Sequence, residues 1–228
     1  MFQVPADEIV RNHYVDATLH LLTYLVKIDI FWTLSKWNTK EREEMSQLPT
    51  LETKRLLLRP FALADAKDVQ RLAGDRAIAD TTLTIPHPYG DGKAEAWIST
   101  HQETYDQEKG MTFAITRKPD GVLLGAISLI DISKGHQAEI GYWVGKPYWS
   151  QGYCTEAASA VLRYGFSVLG LIRIHARYLT RNPASGRVMQ KLAMRHEGCR
   201  RQHVMKWGKC EDIELYGILK QEWEETLK

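Results

Sequence analysis

The sequence is poor in cysteine and nearly balanced in charge, and both shortages exclude classes of protein. Its 228 residues include only three cysteines, Cys154, Cys199 and Cys210, and the formal net charge is +2. Three cysteines cannot all pair and none lies in a C-x-x-C motif, so we expect neither a disulfide framework nor a zinc knuckle. A reduced cytoplasm is the expected compartment. The small net charge predicts that nucleic acid is not a partner.

A long apolar run is also missing. The most apolar window, Leu19 to Leu34, contains Lys27 and Asp29, so it is too short and too charged for a membrane-spanning helix. Asp7 and Arg11 precede that window, a pattern unlike that of a secretory signal peptide. We therefore do not expect a membrane partner.

Several phosphate-binding and hydrolytic motifs are absent. Neither G-x-x-x-x-G-K-S/T nor G-x-G-x-x-G occurs, which excludes the P-loop and the dinucleotide-binding fingerprint. H-E-x-x-H and G-x-S-x-G are absent as well, which argues against zinc peptidases and α/β-hydrolases. A nucleotide-binding domain of another kind stays open at this point.

Two regions of the chain differ in their apolar pattern. Residues 1–47 predict a helical extension, because apolar side chains such as Val10, Tyr14 and Leu21 recur at three- and four-residue steps. Four interpretations stay open: a homodimer contact, a membrane-surface helix, a helix docked on its own domain, and a segment foreign to the natural product. Residues 48–223 form the predicted main domain, and residues 224–228 a polar tail.

Within the main domain the predicted order of elements is β-α-α-β-β-β-α-β-α-β-β. Hairpin signals such as Pro119-Asp120-Gly121 are followed by a strand-helix-strand unit. This order predicts an α/β domain with a mixed sheet and helices on both faces.

One stretch combines a strand, a glycine-containing loop and a helix start. The strand is predicted over 137–144 and the helix begins at Thr155, with Gly152 shortly before it. Glycine lets a ligand approach the backbone, and the first N–H groups of a helix have no intrahelical partner. Ser150 and Tyr153 would add hydroxyl donors. The stretch therefore suits an anion, although a plain turn is the alternative.

Four stretches, in order, resemble the Gcn5-related N-acetyltransferases (GNAT superfamily), closest to the RimJ/RimL branch of ribosomal-protein alanine acetyltransferases. They are LETKRLLLRPFALADAKDV, EIGYWVGKPYWSQGYCTEA, LGLIRIHARYLTRNPASGRVMQKLAMRHEG and EDIELYGILKQEW. The resemblance covers residues 48–223. It implies a mostly antiparallel sheet with a central splayed pair of parallel strands. It also implies acetyl transfer from acetyl-CoA to an amine, without a metal.

The resemblance implies how acetyl-CoA is held as co-substrate. Backbone N–H groups around 151–155 would bind the diphosphate, and the pantetheine arm would pair with residues 142–144 like an extra strand. A backbone N–H near Trp143 or Val144 would polarise the thioester oxygen. The implied cofactor-binding residues are Tyr142, Trp143, Val144, Trp149, Ser150, Gln151, Gly152, Tyr153, Cys154, Thr155, Asn182 and Ser185.

Glu139 and Ser185 are the implied catalytic residues. Glu139 begins the strand that would carry the thioester and is the expected base for the acceptor ammonium; an exposed strand carboxylate is the alternative. Ser185 is the expected proton donor near the thiol, or else an ordinary first-turn serine. Asn182 is expected to cap its helix. Met189 stands where many relatives have a tyrosine acid.

These observations predict an acetyl-CoA-dependent N-acetyltransferase whose acceptor is a primary amine, either a protein N-terminus or a small molecule. Met189 keeps one alternative open, a catalytically weak coenzyme-A-binding module used in regulation. Cys154 stands where relatives have Gly or Ala, and we expect it to be structural rather than nucleophilic.

Overall fold

The computed structural model describes residues 48–228, and the predicted helical extension lies outside them. The strands are β1 Leu51–Glu52, β2 Leu56–Pro60, β3 Met111–Arg117, β4 Leu123–Ser133, β5 Gln137–Val144, β6 Arg173–Leu179, β7 Arg195–Lys206 and β8 Lys209–Leu219. The helices are α1 Ala66–Ala73, α2 Arg76–Thr81, α3 Lys93–Asp106, α4 Tyr153–Ser167, α5 Pro183–Lys191 and α6 Lys220–Glu225, with 3-10 turns at Leu63–Asp65 and Lys146–Tyr148.

The eight strands form one sheet in the order β1-β2-β3-β4-β5-β6-β8-β7. Neighbouring strands are antiparallel except for β5 and β6, which run parallel. The parallel pair follows from the connection through α4, because a crossover helix returns the chain to the same end of the sheet. The predicted mixed sheet with one central parallel pair is confirmed.

The two faces of the sheet carry different helices. Ala138, Ile140 and Val144 of β5 pack in the core that includes α4, whereas Trp143 packs against the apolar side chains of α1 and α3. Successive side chains of a strand alternate between faces. We call these the α4 face and the α1 face, and Glu139 lies on the α1 face.

Several elements differ from the expected ones, and the short strand β1 was not expected. Helix α4 begins at Tyr153, before the expected Thr155, and α5, which the sequence predicts over residues 183–194, ends at Lys191. Helices α2 and α6 were not expected; α2 begins where the Asp75 side chain accepts a hydrogen bond from the Ala77 N–H. None of the helices within residues 48–228 is long and apolar enough to cross a bilayer.

Candidate active site

The parallel strands β5 and β6 pair over only a short length and then separate. Their register holds three pairs, from Gln137 with Arg173 to Glu139 with His175. Beyond these pairs, β5 continues to Val144 on one side of a gap and β6 continues to Leu179 on the other. The separation leaves the inner edge of β5 available to an extended ligand, which can pair with it as an added strand.

Backbone direction decides which N–H groups of β5 face this gap. The Gly145 N–H donates to the Leu124 oxygen at 2.8 Å, so the odd-numbered residues of β5 point their backbone groups at β4. Tyr142 and Val144 therefore point theirs at the gap. Of the two residues expected to supply an oxyanion donor, Val144 has the suitable direction and Trp143 does not.

The loop after β5 is held by its own side chains. Trp149 donates from Nε1 to the Val144 oxygen at 2.5 Å, and Gln151 donates from Nε2 to the Pro147 oxygen at 3.1 Å. Ser150 and Gly152 adopt left-handed backbone angles, with φ of 60° and 79°. These contacts and backbone angles turn the chain sharply into α4. The first N–H groups of that helix, which have no partner within the helix, are left at the surface of the loop.

Arg55 contacts this loop, although its sequence position did not predict such a role. Its guanidinium donates to the Gln151 oxygen at 3.1 Å and to Glu156 at 2.6 Å, and it lies 4.5 Å from the centre of the Tyr153 ring. Burial alone would raise the pKa of Glu156, but hydrogen bonds from Thr53 and Arg55 hold it below its usual value. The ion pair fixes a cation beside the helix N-terminus.

The loop fits the diphosphate of coenzyme A by three observations. A Cβ at Gly152 would stand 3.5 Å from an Arg55 nitrogen, so the glycine keeps the space before that cation clear. The α4 N-terminus supplies unpaired N–H groups and the positive end of its dipole. Arg55 adds a guanidinium that is paired with Glu156 but is still 42% exposed, so it can also contact a ligand. Together they suit a ligand with two negative phosphates.

Two of the predicted loop residues turn their side chains inward. Tyr153 is buried beneath Arg55, so it offers its backbone N–H rather than its hydroxyl to a ligand. Burial raises the pKa of Cys154 to about 12. A thiol of that pKa stays protonated at neutral pH, which agrees with the expected structural role.

Across the gap, Asn182 and Ser185 begin α5. Asn182 caps the helix, since its Oδ1 accepts from the Ser185 N–H at 3.4 Å. Its Nδ2 donates to the Thr81 oxygen at 3.1 Å, which ties α2 to the end of β6. The Ser185 Oγ donates to the Tyr142 hydroxyl at 3.1 Å. Ser185 therefore faces β5 across the gap.

Glu139 is a buried, paired carboxylate rather than an exposed one. Only 8% of its surface is accessible, and its Oε1 accepts from the Arg177 Nε at 3.0 Å. His175 is its neighbour on β6. Burial lowers the pKa of His175, and the nearby Glu139 opposes that shift. The structure thus places a carboxylate, a neutral imidazole and a guanidinium on the α1 face, where the parallel strands begin to separate.

Aromatic side chains on the same face belong to the packing of α3. Trp97 contacts Phe61 and His101 edge to face, with ring centres 5.1 and 4.4 Å apart. Within residues 48–228, neither ring nitrogen of His101 has a hydrogen-bond partner. Burial lowers the pKa of His101 to about 4, so the ring is neutral in the folded protein at neutral pH.

Comparisons with known proteins agree with this geometry. The model of the acetyltransferase (GNAT) domain family matches residues 55–195. YoaA of Bacillus subtilis, which is named an uncharacterized N-acetyltransferase, is 32% identical over 173 residues, which are 75% of this chain and 97% of YoaA. The chain belongs to the GNAT acetyltransferase family. It is therefore an acetyl-CoA-dependent N-acetyltransferase, and the superfamily resemblance is confirmed.

Two further similarities concern proteins with more specific names. The ribosomal protein uS5-alanine N-acetyltransferase of Escherichia coli is 24% identical over 139 residues, which are 60% of this chain and 71% of that enzyme. The structure of Mycobacterium smegmatis RimJ in complex with CoA-disulfide superposes with a TM-score of 0.69 at 22% identity. That alignment covers 78% of this chain and 90% of RimJ.

The structure of this GNAT enzyme brings most of the predicted residues to one gap. The separation between β5 and β6 is lined on one side by Tyr142 and Val144 and on the other by Asn182 and Ser185. The loop 145–152, which we call the Gly152 loop, lies where β5 ends. Arg55 was missed because an arginine at a strand start is a common solvent-exposed residue, and nothing local in the sequence links it to residue 152. Arg177 lies inside β6 and was missed because its partner Glu139 comes from another strand, although strand alternation from His175 could have placed it on the same face as Glu139.

Proposed function

We propose that this enzyme acetylates the α-amino group of a protein or peptide, with Glu139 as the base that takes the acceptor's proton. The observation that supports this most is the buried Glu139 at the point where β5 and β6 separate, on the face opposite α4. The co-substrate would approach along the gap, and the acceptor would approach Glu139 from the α1 face. The two reactants would then reach the gap from different directions and would not compete for the same face of the sheet.

The charges around Glu139 favour an acceptor with a single amine. Every second residue of β6 points to the same face, and on the α1 face these residues are Arg173, His175 and Arg177. The Arg173 guanidinium is paired with Glu197 at 2.5 Å, and Arg177 is paired with Glu139. Both guanidinium groups are paired with a carboxylate, so this cluster offers no excess negative charge to hold the several positive charges that a polyamine carries at neutral pH. A peptide N-terminus brings at most one charge to Glu139.

An α-amino group also places a smaller demand on the base. Its ordinary pKa of about 7.7–8.0 leaves a sizeable neutral fraction at pH 7, whereas the amine of a lysine side chain, near 10.4, is almost fully protonated. A carboxylate already paired with Arg177 suits the easier proton transfer. The similarity to the uS5-alanine enzyme supports the N-terminus of a ribosomal protein, in the cytoplasm, as the acceptor.

The residues around the gap would divide the reaction among them. Acetyl-CoA supplies an activated acetyl thioester when it is bound. The Gly152 loop and Arg55 would hold its diphosphate, and the Val144 N–H would donate to the developing oxyanion, a contribution of roughly 3–4 kcal/mol in comparable sites. Glu139 would accept the ammonium proton, and Ser185 would donate to the departing sulfur.

Release of free thiol from acetyl-CoA would test this proposal with a panel of acceptors. The panel holds peptides that begin with alanine or serine, the same peptides with a blocked N-terminus, spermidine and free lysine. We expect turnover with the open peptides, little with spermidine, and none with the blocked peptides.

Two outcomes would contradict the proposal at different levels. Faster turnover with spermidine than with every peptide would overturn the acceptor class. Tight binding of acetyl-CoA without thiol release for any acceptor would instead support the catalytically weak regulatory module.

A further inference from the structure

Tyr142 joins β5 to α5 across the gap by hydrogen bonds of its side chain. It lies on the part of β5 beyond the last β5–β6 pair, and its side chain packs in the core of the α4 face. Its hydroxyl donates to the Ser185 oxygen at 3.1 Å and accepts from the Ser185 Oγ at 3.1 Å. Both polar oxygens of Ser185 are thereby held by a single phenol.

The direction of these two hydrogen bonds is determined by proton count. A phenol has one proton to donate. Because that proton goes to the Ser185 carbonyl, the phenol oxygen acts as the acceptor for the Ser185 hydroxyl. Burial raises the pKa of Tyr142 well above its ordinary value, so the ring stays neutral across the working range. Tyr142 therefore orients the serine hydroxyl but is a poor source of the proton itself.

Ser185 is also held from the backbone side. Its N–H donates to the Asn182 oxygens, at 3.1 Å to the carbonyl and 3.4 Å to the side chain. With Tyr142 on its carbonyl and hydroxyl oxygens, the heavy atoms of Ser185 have little freedom to move. An arrangement of this kind is what a proton donor needs, because transfer requires heavy atoms within about 3 Å.

We infer that Tyr142 is a positioning residue that fixes the Ser185 Oγ beside the β5–β6 gap for the proton transfer of the proposed reaction. In that reaction the amine nitrogen forms a bond to the acetyl carbon and the carbon–sulfur bond breaks. The hydrogen of the Ser185 hydroxyl turns from the Tyr142 oxygen to the sulfur, which takes it as a proton. Glu139 has already taken one proton from the acceptor ammonium, and the nitrogen loses a second on becoming an amide; water carries that second proton to the serine oxygen. The inference rests on the proposed role of Ser185.

Met189 explains why such positioning matters in this chain. It is buried on α5, one turn after Ser185, and a thioether has no proton to donate. Of these two side chains, the Ser185 hydroxyl is thus the one able to protonate a thiolate. Its orientation depends on a residue of the opposite strand.

A double-mutant cycle tests the inference with Tyr142→Phe, Ser185→Ala and the double variant. Phenylalanine keeps the ring and removes both hydrogen bonds. We expect Tyr142→Phe to lower kcat about tenfold, with the KM for acetyl-CoA changed less than about twofold, and Ser185→Ala to lower kcat about 100-fold. The double variant should be no slower than Ser185→Ala, because one residue acts through the other.

Tyr216→Phe is the matched control. The Tyr216 hydroxyl accepts from the Gln190 Nε2 at 3.2 Å, so this variant also removes a tyrosine hydrogen bond to α5, but away from Ser185. We expect its kcat to match that of the unmodified enzyme. Thermal unfolding of all variants shows whether α5 stays seated.

The outcomes separate this inference from the proposed function. If Ser185→Ala keeps full turnover, the proposed proton donor is wrong, and the role of Tyr142 falls with it. If Ser185→Ala is slow but Tyr142→Phe is unaffected, or the two losses multiply, the inference alone is overturned. An equal loss of kcat in Tyr216→Phe would also overturn it, because the effect would then be one of helix seating.

Discussion

The two ends of the gap between β5 and β6 present different kinds of chemical group, backbone groups at one end and side chains at the other. The Gly152 loop presents backbone N–H groups and a helix N-terminus, and its side chains mostly hold the loop itself. The Glu139 end presents ionisable side chains that hold one another. A backbone site recognises a diphosphate by shape and charge, whereas a side-chain site can exchange protons. The first end is thus suited to binding and the second to chemistry.

The largest expected effect comes from a substitution in the Gly152 loop. Gly152→Glu should weaken coenzyme A binding roughly 100-fold or more, because it forces a left-handed residue and places a carboxylate where phosphate would bind. Titration calorimetry with coenzyme A measures this. Gly121→Glu is the control, since Gly121 is also left-handed, with φ of 67°, but has nothing within 4 Å of its Cβ position. Unchanged affinity of Gly152→Glu would refute the placement of the diphosphate.

The next largest effect comes from a substitution of Glu139, which should slow the reaction without weakening the binding of acetyl-CoA. Glu139→Gln should lower kcat about 100-fold, most strongly below the pKa of the acceptor amine, with little change in the KM for acetyl-CoA. The pH–rate profile is the measurement. Glu197→Gln serves as control because it removes a carboxylate from the same region, where Glu197 pairs with Arg173. An unaltered profile for Glu139→Gln would make Glu139 a structural residue.

A smaller effect sharpens the distinction at the loop. Arg55→Met should raise the KM for acetyl-CoA roughly tenfold and leave kcat nearly unchanged, since a charge-assisted contact is lost but the N–H groups remain. Steady-state kinetics give both constants. Arg71→Met, which removes an exposed ion pair with Asp68, should behave like the unmodified enzyme. A fall in kcat with constant KM would contradict a binding role for Arg55.

The smallest effect separates pH effects on folding from those on catalysis. The pKa of His101 is about 4 in the folded chain and near 6.5 in the unfolded chain, so the folded state favours the neutral ring. The resulting stability is complete above pH 6.5 and is lost as the pH falls toward 4.

Thermal unfolding at pH 7 and pH 5 measures the contribution of His101. We expect the Tm of the unmodified protein to fall between these values by roughly 3 °C more than that of His101→Phe, whose ring cannot be protonated. The phenylalanine ring of this variant would keep the aromatic packing with Trp97. Equal falls in Tm would show that His101 does not contribute, and the acidic limb of the pH–rate profile would then need no correction for it.

The backbone-built end was the more predictable from sequence. A strand, a glycine and a helix start leave a readable local pattern, so the Gly152 loop was located correctly even though α4 begins at Tyr153. The side-chain end depends on neighbours far apart in the chain. Glu139 was chosen from its strand position, but its partner Arg177 comes from another strand, and the pairing made it buried instead of exposed. Helix α2 was missed because its six residues lie beside a segment rich in turn formers.

The alternation of side-chain and backbone directions along β5 limits where residues can be inserted or deleted. Residues 142 and 144 aim their backbone groups at the gap, while Glu139 turns its side chain to the α1 face, and both facts depend on counting in steps of two. Loss or gain of one residue between Glu139 and Val144 would move Glu139 to the wrong face or turn the N–H of residue 144 toward β4. The preceding turn at 134–136 carries no such restriction, so length variation is expected there and excluded from the second half of the strand.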